Sequence, residues 1–292
     1  MTQPPPDPIS QLRKPPWLKV PLPGGANYAR IEGYHRQQGL NTVCRSAACP
    51  NQGECWNNGT ATFMILGDRC SRSCRFCNIE QAEALPPDPD ENNKIAQAIA
   101  ELELRHAVIT SVTRDDLPDG GAGQFADLVR QIRRRSHCRI ELLIPDLQGE
   151  SLALKLILAA NPDILGHNME TVPRLYPQVR PEAAYKRSLD LLRRIKTLAP
   201  QITSKSGLML GLGEEPEEIL AVMTDLREVN CDILTLGQYL APSRNHAAVQ
   251  RYLHPDEFAE LAAHGRQLGF RHVEAGPLVR SSYHAAEQVR PV

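Results

Sequence analysis

Three thiols stand within eight residues in the stretch DRCSRSCRFCN, at Cys70, Cys74 and Cys77. A second trio, Cys44, Cys49 and Cys55, lies just upstream in CRSAACPNQGECW. Thiolates hold iron–sulfur clusters, and a four-iron cube takes one ligand per iron. The spacing C-x3-C-x2-C supplies three ligands from one tight loop. The missing fourth leaves an iron open to a substrate or cofactor, by the logic that separates catalytic from structural zinc. A zinc site would instead call for C-x2-C pairs with a second Cys or His pair nearby. His106 is the nearest downstream histidine and opens a predicted strand, so zinc fits poorly. An electron carrier with two complete clusters would need a fourth cysteine for each.

The elements that must position these thiols follow a regular rhythm from about residue 62. ATFMIL (61–66) reads as a strand that leads into the second trio. Predicted helices at 95–102, 123–135, 151–160, 185–200, 217–229 and 255–269 alternate with strands at 106–112, 139–145, 163–168, 206–213 and 232–240. A further strand candidate lies in FRHVEAGPLV. Alternation of this kind implies an α/β fold of parallel strands joined by right-handed crossovers. Six units are too few for the usual eight-unit closed barrel, and a partial barrel is the expectation. The chemistry then belongs at the C-terminal ends of the strands, where the first strand delivers Cys70.

The Cys70, Cys74 and Cys77 motif, with Phe76 before the last cysteine, resembles that of the radical S-adenosylmethionine (SAM) superfamily. Its usual core is a partial (βα)6 barrel, and its open iron chelates the amino and carboxylate groups of SAM, which electron transfer cleaves to a 5′-deoxyadenosyl radical. The C-x4-C-x5-C of the first trio, together with GPLVRSSYHA at 276–285, is similar to the lipoyl synthases within that superfamily. The resemblance implies a second [4Fe-4S] cluster held by Cys44, Cys49, Cys55 and a serine, with Ser282 preferred and Ser281 the alternative. It implies insertion of two sulfur atoms, at C6 and C8 of an octanoyl chain on a lysine of a lipoyl carrier domain, with the auxiliary cluster as donor. An alkoxide is a harder ligand than a thiolate and suits iron less well, so such a cube has a weak corner. A methylthiotransferase-like enzyme is the rival within the superfamily, but it would need terminal domains for which little chain remains. The implied division is an extension at 1–60 carrying the auxiliary cysteines, a barrel at 61–275 and a capping segment at 276–292.

By the same resemblance, Asn168 and Glu170 in GHNMETV fall where the family contacts the SAM ribose, although Asn and Glu also mark helix starts. Thr113 stands in the polar loop SVTRDDLPDGGAG, where the superfamily binds the SAM amino group; the Asp and Gly residues equally suit a turn. Arg180 in QVRPEA offers a partner for the SAM carboxylate, against the bland reading of an exposed arginine. Gln238 and Tyr239, after the sixth strand, are candidates to line an octanoyl channel. Cys138 and Cys231 read as core residues. His106, His167, His246, His254 and His284 show no ligand spacing.

Composition sets the remaining bounds. The 292 residues carry 33 basic and 34 acidic side chains, so no overall basic field argues for nucleic acid. No 18-residue apolar stretch argues for a membrane. Eight of the 24 prolines fall in the first 25 residues, predicting an extended surface segment. The opening has no apolar export signal, which places eight cysteines in a reducing, cytoplasmic setting. A monomer is the expectation. Its partners would be the octanoylated carrier domain, an electron donor such as flavodoxin or ferredoxin, and an iron–sulfur cluster delivery protein.

Overall fold

The computed structural model describes residues 13–20, 22–47 and 49–288. Seven parallel strands form one sheet, in chain order from edge to edge. They are β1 (Thr60–Ile65), β2 (His106–Ser111), β3 (Arg139–Leu143), β4 (Ile164–Gly166), β5 (Thr203–Leu210), β6 (Ile233–Gln238) and β7 (His272–Gly276). The expected partial α/β barrel is what forms, with FRHVEAGPLV narrowed to the seventh strand. Every strand pairs with its sequence neighbour, and β1 and β7 remain edges. Strictly sequential parallel order is what right-handed crossovers produce when each helix packs back on the same face.

The local sequence explains these elements. β1 is buried at every position, as a strand covered on both faces must be. The helix Ala122–Arg135 buries Phe125, Leu128, Val129 and Ile132 on one side and leaves its arginines outward, the amphipathic pattern of a barrel helix. The helices Pro216–Glu228 and Pro255–Gln267 both open with proline in the first turn and a reciprocal capping box, Glu215 with Glu218 and His254 with Glu257. These partners satisfy backbone N–H groups that the first turn leaves free. The barrel floor is closed by charge. Glu141 accepts from Lys205 at 2.6 Å and lies 3.1 Å from His106 Nε2, all three residues at most 2% exposed. Removing one partner of such a buried set typically costs about 3–5 kcal/mol.

Three helices ahead of β1 lie outside the sequence-based reading: α1 (Ala26–Gln38), α2 (Val43–Ser46) and α3 (Gln52–Asn57). α1 is polar almost throughout, so its periodicity is faint. Its anchors, Tyr28, Ile31 and His35, recur at helical spacing. His35 stacks between Trp56 of α3 and Phe63 of β1, with centroids 5.4 and 5.1 Å away. Tyr28 stacks on Trp56 at 5.3 Å. Aromatic packing thus fixes α1 and α3, which carries Cys55, to the first strand, with Cys44 on α2 and Cys49 between the two short helices. Of the proline-rich opening, residues 1–12 and 21 lie outside the described residues. Pro16–Leu18 forms a short 3-10 turn, a departure from a wholly extended path that proline permits at a first turn.

Candidate active site at the strand ends

The loop after β1 carries Cys70, Cys74 and Cys77 across the mouth of the barrel. Its base is a two-residue parallel ladder of Arg69–Cys70 with Glu80–Gln81. Neighbouring strand-end loops then hold each turn. Ser71 donates its N–H and hydroxyl to the Thr113 carbonyl, at 3.1 and 3.0 Å. The Thr113 N–H points at the Cys70 sulfur, 3.4 Å away. Arg75 N–H donates to Val179, and His246 Nε2 lies 3.1 Å from the Cys77 carbonyl.

The firmest anchor is Arg72, between the first two cysteines. Its guanidinium donates to both oxygens of Asp115, at 2.6 and 2.9 Å, and to Asp146 at 2.6 Å. Asp146 is fully buried just past β3 and also accepts from Arg187 at 2.7 Å. Burial works to raise the Asp146 carboxyl, but Arg72 above all, with His167 and Arg187 after it, holds it well below the usual carboxylate range. Glu182 closes the ring by accepting from the Ser73 hydroxyl, while its carbonyl accepts from Arg187. Arg72, Asp146 and Glu182 are not singled out by the sequence, and His246 is noted there only for its lack of ligand spacing. Asp146 alone carried a signal, as an acid directly after a predicted strand.

Asn168 and Glu170 follow β4. The Asn168 amide donates to Glu170 at 3.0 Å and to the Ser281 hydroxyl at 2.8 Å. Glu170 has φ 66° and bridges to Leu208 on β5. Burial raises its carboxyl above the usual range, although the Arg180 charge opposes this. Arg180 is buried, not exposed. It donates to the Asn168 and Met169 carbonyls at 3.0 Å each and reaches the Tyr176 hydroxyl. Its Nε has no partner among the described residues. An unpaired guanidinium N–H beside Glu170 and Cys74 is the donor that a carboxylate ligand would need.

Gln238 and Tyr239, the candidates for an octanoyl channel, are both tied into the local backbone. The Gln238 amide spends both ends on the Leu210, Tyr239 and Arg251 carbonyls and the Leu253 N–H. The Tyr239 hydroxyl donates to the Ala247 carbonyl at 2.8 Å. Both are buried struts of the β6 loop, because a buried polar side chain at a strand end is drawn into satisfying the local backbone.

The other trio is assembled at the same end of the sheet. Thr42 caps α2, accepting from Cys44 N–H at 3.2 Å, and donates to the Thr62 carbonyl on β1 at 2.6 Å. Cys49 N–H donates to the Cys44 carbonyl, which folds the first two thiols together. The C-terminal segment comes back onto this unit. Asn51 donates to the Leu278 carbonyl at 2.5 Å, and Tyr283 and His284 both reach Glu54. Gly237 makes room for that return, since a Cβ there would fall 2.0 Å from the Val279 oxygen.

All eight cysteines are free. Cys138 and Cys231 are buried in the core, and desolvation pushes both up to about 12. Burial and then neighbouring thiols push Cys49 up to about 11, and burial, opposed by the Arg180 charge, does the same for Cys74. Close, buried thiols of this kind favour the thiolate form only beside strong positive charge, which a bound metal cluster provides. Among the described residues no three His, Cys, Asp or Glu side chains converge on one point that would hold a single metal ion. The thiols of a cube each meet a different iron and need no such convergence. Free thiols grouped by threes are the donor type that such clusters take.

Similarity to known proteins agrees with this geometry. Residues 64–226 match the model of the radical SAM superfamily. Residues 7–49 match that of the N-terminal domain of lipoyl synthase. The lipoyl synthase of Idiomarina loihiensis is 53% identical over 94% of this chain and 86% of its own length. That of Caldanaerobacter subterraneus subsp. tengcongensis is 50% identical over 94% and 96%, and that of Rubrobacter xylanophilus 52% over 98% and 92%. Among solved structures, Streptococcus suis SuiB bound to S-adenosylmethionine aligns with a TM-score of 0.61 at 10% identity, over 80% of this chain and 53% of that one. Methylornithine synthase (PylB) aligns with a TM-score of 0.54 at 12% identity, over 85% of each. At such low identity these two speak for the fold alone. With relatives this similar along nearly its whole length, the chain belongs to the lipoyl synthase family of the radical SAM superfamily.

Proposed function

We propose that this enzyme inserts two sulfur atoms, at C6 and C8 of an octanoyl chain attached to a lysine of a lipoyl carrier domain. The observation that carries the reading is that the C-terminal serine segment, held against the Cys49–Cys55 stretch by Asn51 and Glu54, also meets Asn168 at the end of β4. The target carbons are unactivated, so no side chain could take their protons at neutral pH. When bound, the SAM-binding cluster supplies the electron that cleaves SAM, and the auxiliary cluster supplies sulfide.

The chain's own residues hold, orient and shield. Cys70, Cys74 and Cys77 hold the SAM-binding cluster. Cys44, Cys49 and Cys55 hold the auxiliary one, with a fourth ligand from the serine pair. Ser282 is our assignment, since the Ser281 hydroxyl already accepts from Asn168. Asn168 and Glu170 present an amide and a carboxylate to the ribose hydroxyls. Thr113 lines the amino-group side, and the free Nε of Arg180 is the donor for the SAM carboxylate. Residues 1–60, 61–275 and 276–292 act as extension, barrel and cap. Each C–H abstraction consumes one SAM, so two are used per lipoyl group. A one-electron donor such as flavodoxin or ferredoxin, a cluster delivery protein and a cytoplasmic setting complete the proposal. Among the described residues no helix is long and apolar enough to cross a membrane.

Single turnover tests this directly. Anaerobically reconstituted protein receives SAM, a reductant and an octanoyl-lysine peptide, and the peptide is read by mass spectrometry. Loss of two hydrogens and gain of two sulfurs, with two 5′-deoxyadenosines per product, is the expected result. SAM cleavage with an unaltered peptide would sink the substrate assignment.

A further inference from the structure

The Cys70 loop and the C-terminal serine segment are anchored differently. The Cys70 loop is locked by the buried Arg72–Asp146 pair, with side chains at most 4% exposed. The segment carrying Ser281 and Ser282 buries Val279, Ala285 and Gln288 and accepts from Asn168 at its Ser281 hydroxyl, but its outer side is held differently. The grip there is Glu54, whose side chain is 49% exposed and whose neighbour is Cys55. Glu54 receives the Tyr283 hydroxyl, 3.3 and 3.2 Å from its two oxygens, and lies 2.9 Å from His284 Nε2. Glu274 flanks the other ring nitrogen at 3.7 Å. The Tyr283 and His284 rings stack at 3.8 Å, so the two donors move as one plate. His284 has φ 51°, in the left-handed region that histidine enters more readily than most residues. Asn51, between Cys49 and Cys55, adds its bond to the Leu278 carbonyl.

We propose that Glu54 is a positioning residue that latches the C-terminal serine segment over the auxiliary trio and sets how readily that segment lifts away. The inference rests on the reading of Cys44, Cys49, Cys55 and the serine pair as the auxiliary site. The latch is built from the trio's own loop, so closing the segment and organising the thiols are one event. Solvent-exposed contacts of this kind are weak and exchange readily. That is what a segment needs if its serine is to leave and return, whereas a buried clamp such as Arg72–Asp146 would hold it for good. A carboxylate at Glu54 serves both donors at once. Glutamine keeps an acceptor oxygen there, and alanine removes the grip.

The test compares holoprotein with wild-type Glu54, Glu54→Gln and Glu54→Ala by backbone hydrogen exchange and mass spectrometry. Residues 278–288 and the internal reference 70–77 are followed, with iron release to a chelator measured in parallel. In Glu54→Ala, exchange across 278–288 should rise about tenfold with 70–77 unchanged. About half of the iron should become chelatable faster, and Glu54→Gln should restore most of the protection. Tyr283→Phe, which removes one donor and leaves the carboxylate, should give an intermediate effect and serves if Glu54→Ala does not fold. Unchanged exchange in both Glu54→Ala and Tyr283→Phe, or equal loosening of 70–77, overturns the latch. Exchange is read without substrate. A wild-type protein that leaves the octanoyl peptide unaltered would therefore unseat the functional reading while the latch stands or falls on its own data.

Discussion

Asn168 and Ser281 lie 113 positions apart and meet through a 2.8 Å hydrogen bond, with the Asn168 amide donating to the serine hydroxyl. The same amide serves Glu170. One side chain at the end of β4 is thus shared between Glu170 and the C-terminal segment that returns to Glu54. Ser282 has no side-chain partner of this kind among the described residues. Replacing Ser282 with alanine should therefore remove the fourth ligand, visible as a changed Mössbauer signal for one iron and as faster iron loss. Ser281→Ala should leave that signal intact and weaken only the seating of the segment. The reverse pattern would reassign the ligand to Ser281.

Asp146 joins Arg72 of the cluster loop to Arg187 at the barrel wall. Asp146→Asn keeps the shape but leaves two guanidinium groups short of charge, one of them buried. A loss of about 3–5 kcal/mol in stability is expected, together with a shifted midpoint potential for the SAM-binding cluster alone. The carboxyl is depressed in the folded state, so its contribution is complete above its unfolded value of about 4. It fades only as pH falls below that toward the folded value. Denaturant titrations of both proteins between pH 7 and pH 3 check the sign: the difference between them should shrink only at the acid end.

The barrel was legible because its signal is periodic. Apolar runs such as 106–112 and amphipathic stretches such as 123–135 repeat six times, and each repeat reinforces the others. The cysteines were legible because their chemistry depends on local spacing. Arg72, Asp146 and Glu182 were not, since their partnership is made by topology: three strand-end loops far apart in the chain meet only once the sheet has formed. α1 escaped for another reason. Its contribution is three aromatic and aliphatic contacts on a polar helix, which hydropathy averages away. The hydrogen bonds that hold Gln238 and Tyr239 to the backbone around Leu210, Ala247 and Leu253 were equally out of reach of the sequence, because they too form only once the loops meet.

The two trios should be separable by mutation. Alanine at any of Cys70, Cys74 or Cys77 should lower iron from about eight to about four per chain and abolish SAM cleavage. Alanine at Cys44, Cys49 or Cys55 should cause the same iron loss while SAM is still cleaved, without sulfur reaching the peptide. Iron analysis paired with 5′-deoxyadenosine quantification decides it. Loss of SAM cleavage from both sets would mean that the two sites do not act independently.

His167 provides a pH signature of the buried wall behind the site. Its Nδ1 faces the Ile144 carbonyl at 2.9 Å, and its Nε2 faces the Ser188 hydroxyl at 2.9 Å. A carbonyl only accepts, so Nδ1 carries the proton and Nε2 accepts from serine. The neutral ring is fully satisfied. Burial, and then the Arg180 charge, lower its pKa to about 4, against about 6.5 in an unfolded chain. Between those values the unfolded state binds the extra proton, so stability must fall as pH drops from 6.5 toward 4. A single group of this kind removes up to about 3 kcal/mol over the window. His35, also lowered to about 4 by burial, acts in the same direction. Replacing His167 with asparagine should lower stability at pH 7.5 and flatten the slope below pH 6.5 to about half, leaving the part due to His35. Urea titrations in steps of half a pH unit read both effects, and an unchanged slope would mean that His167 already carries its second proton in the folded protein.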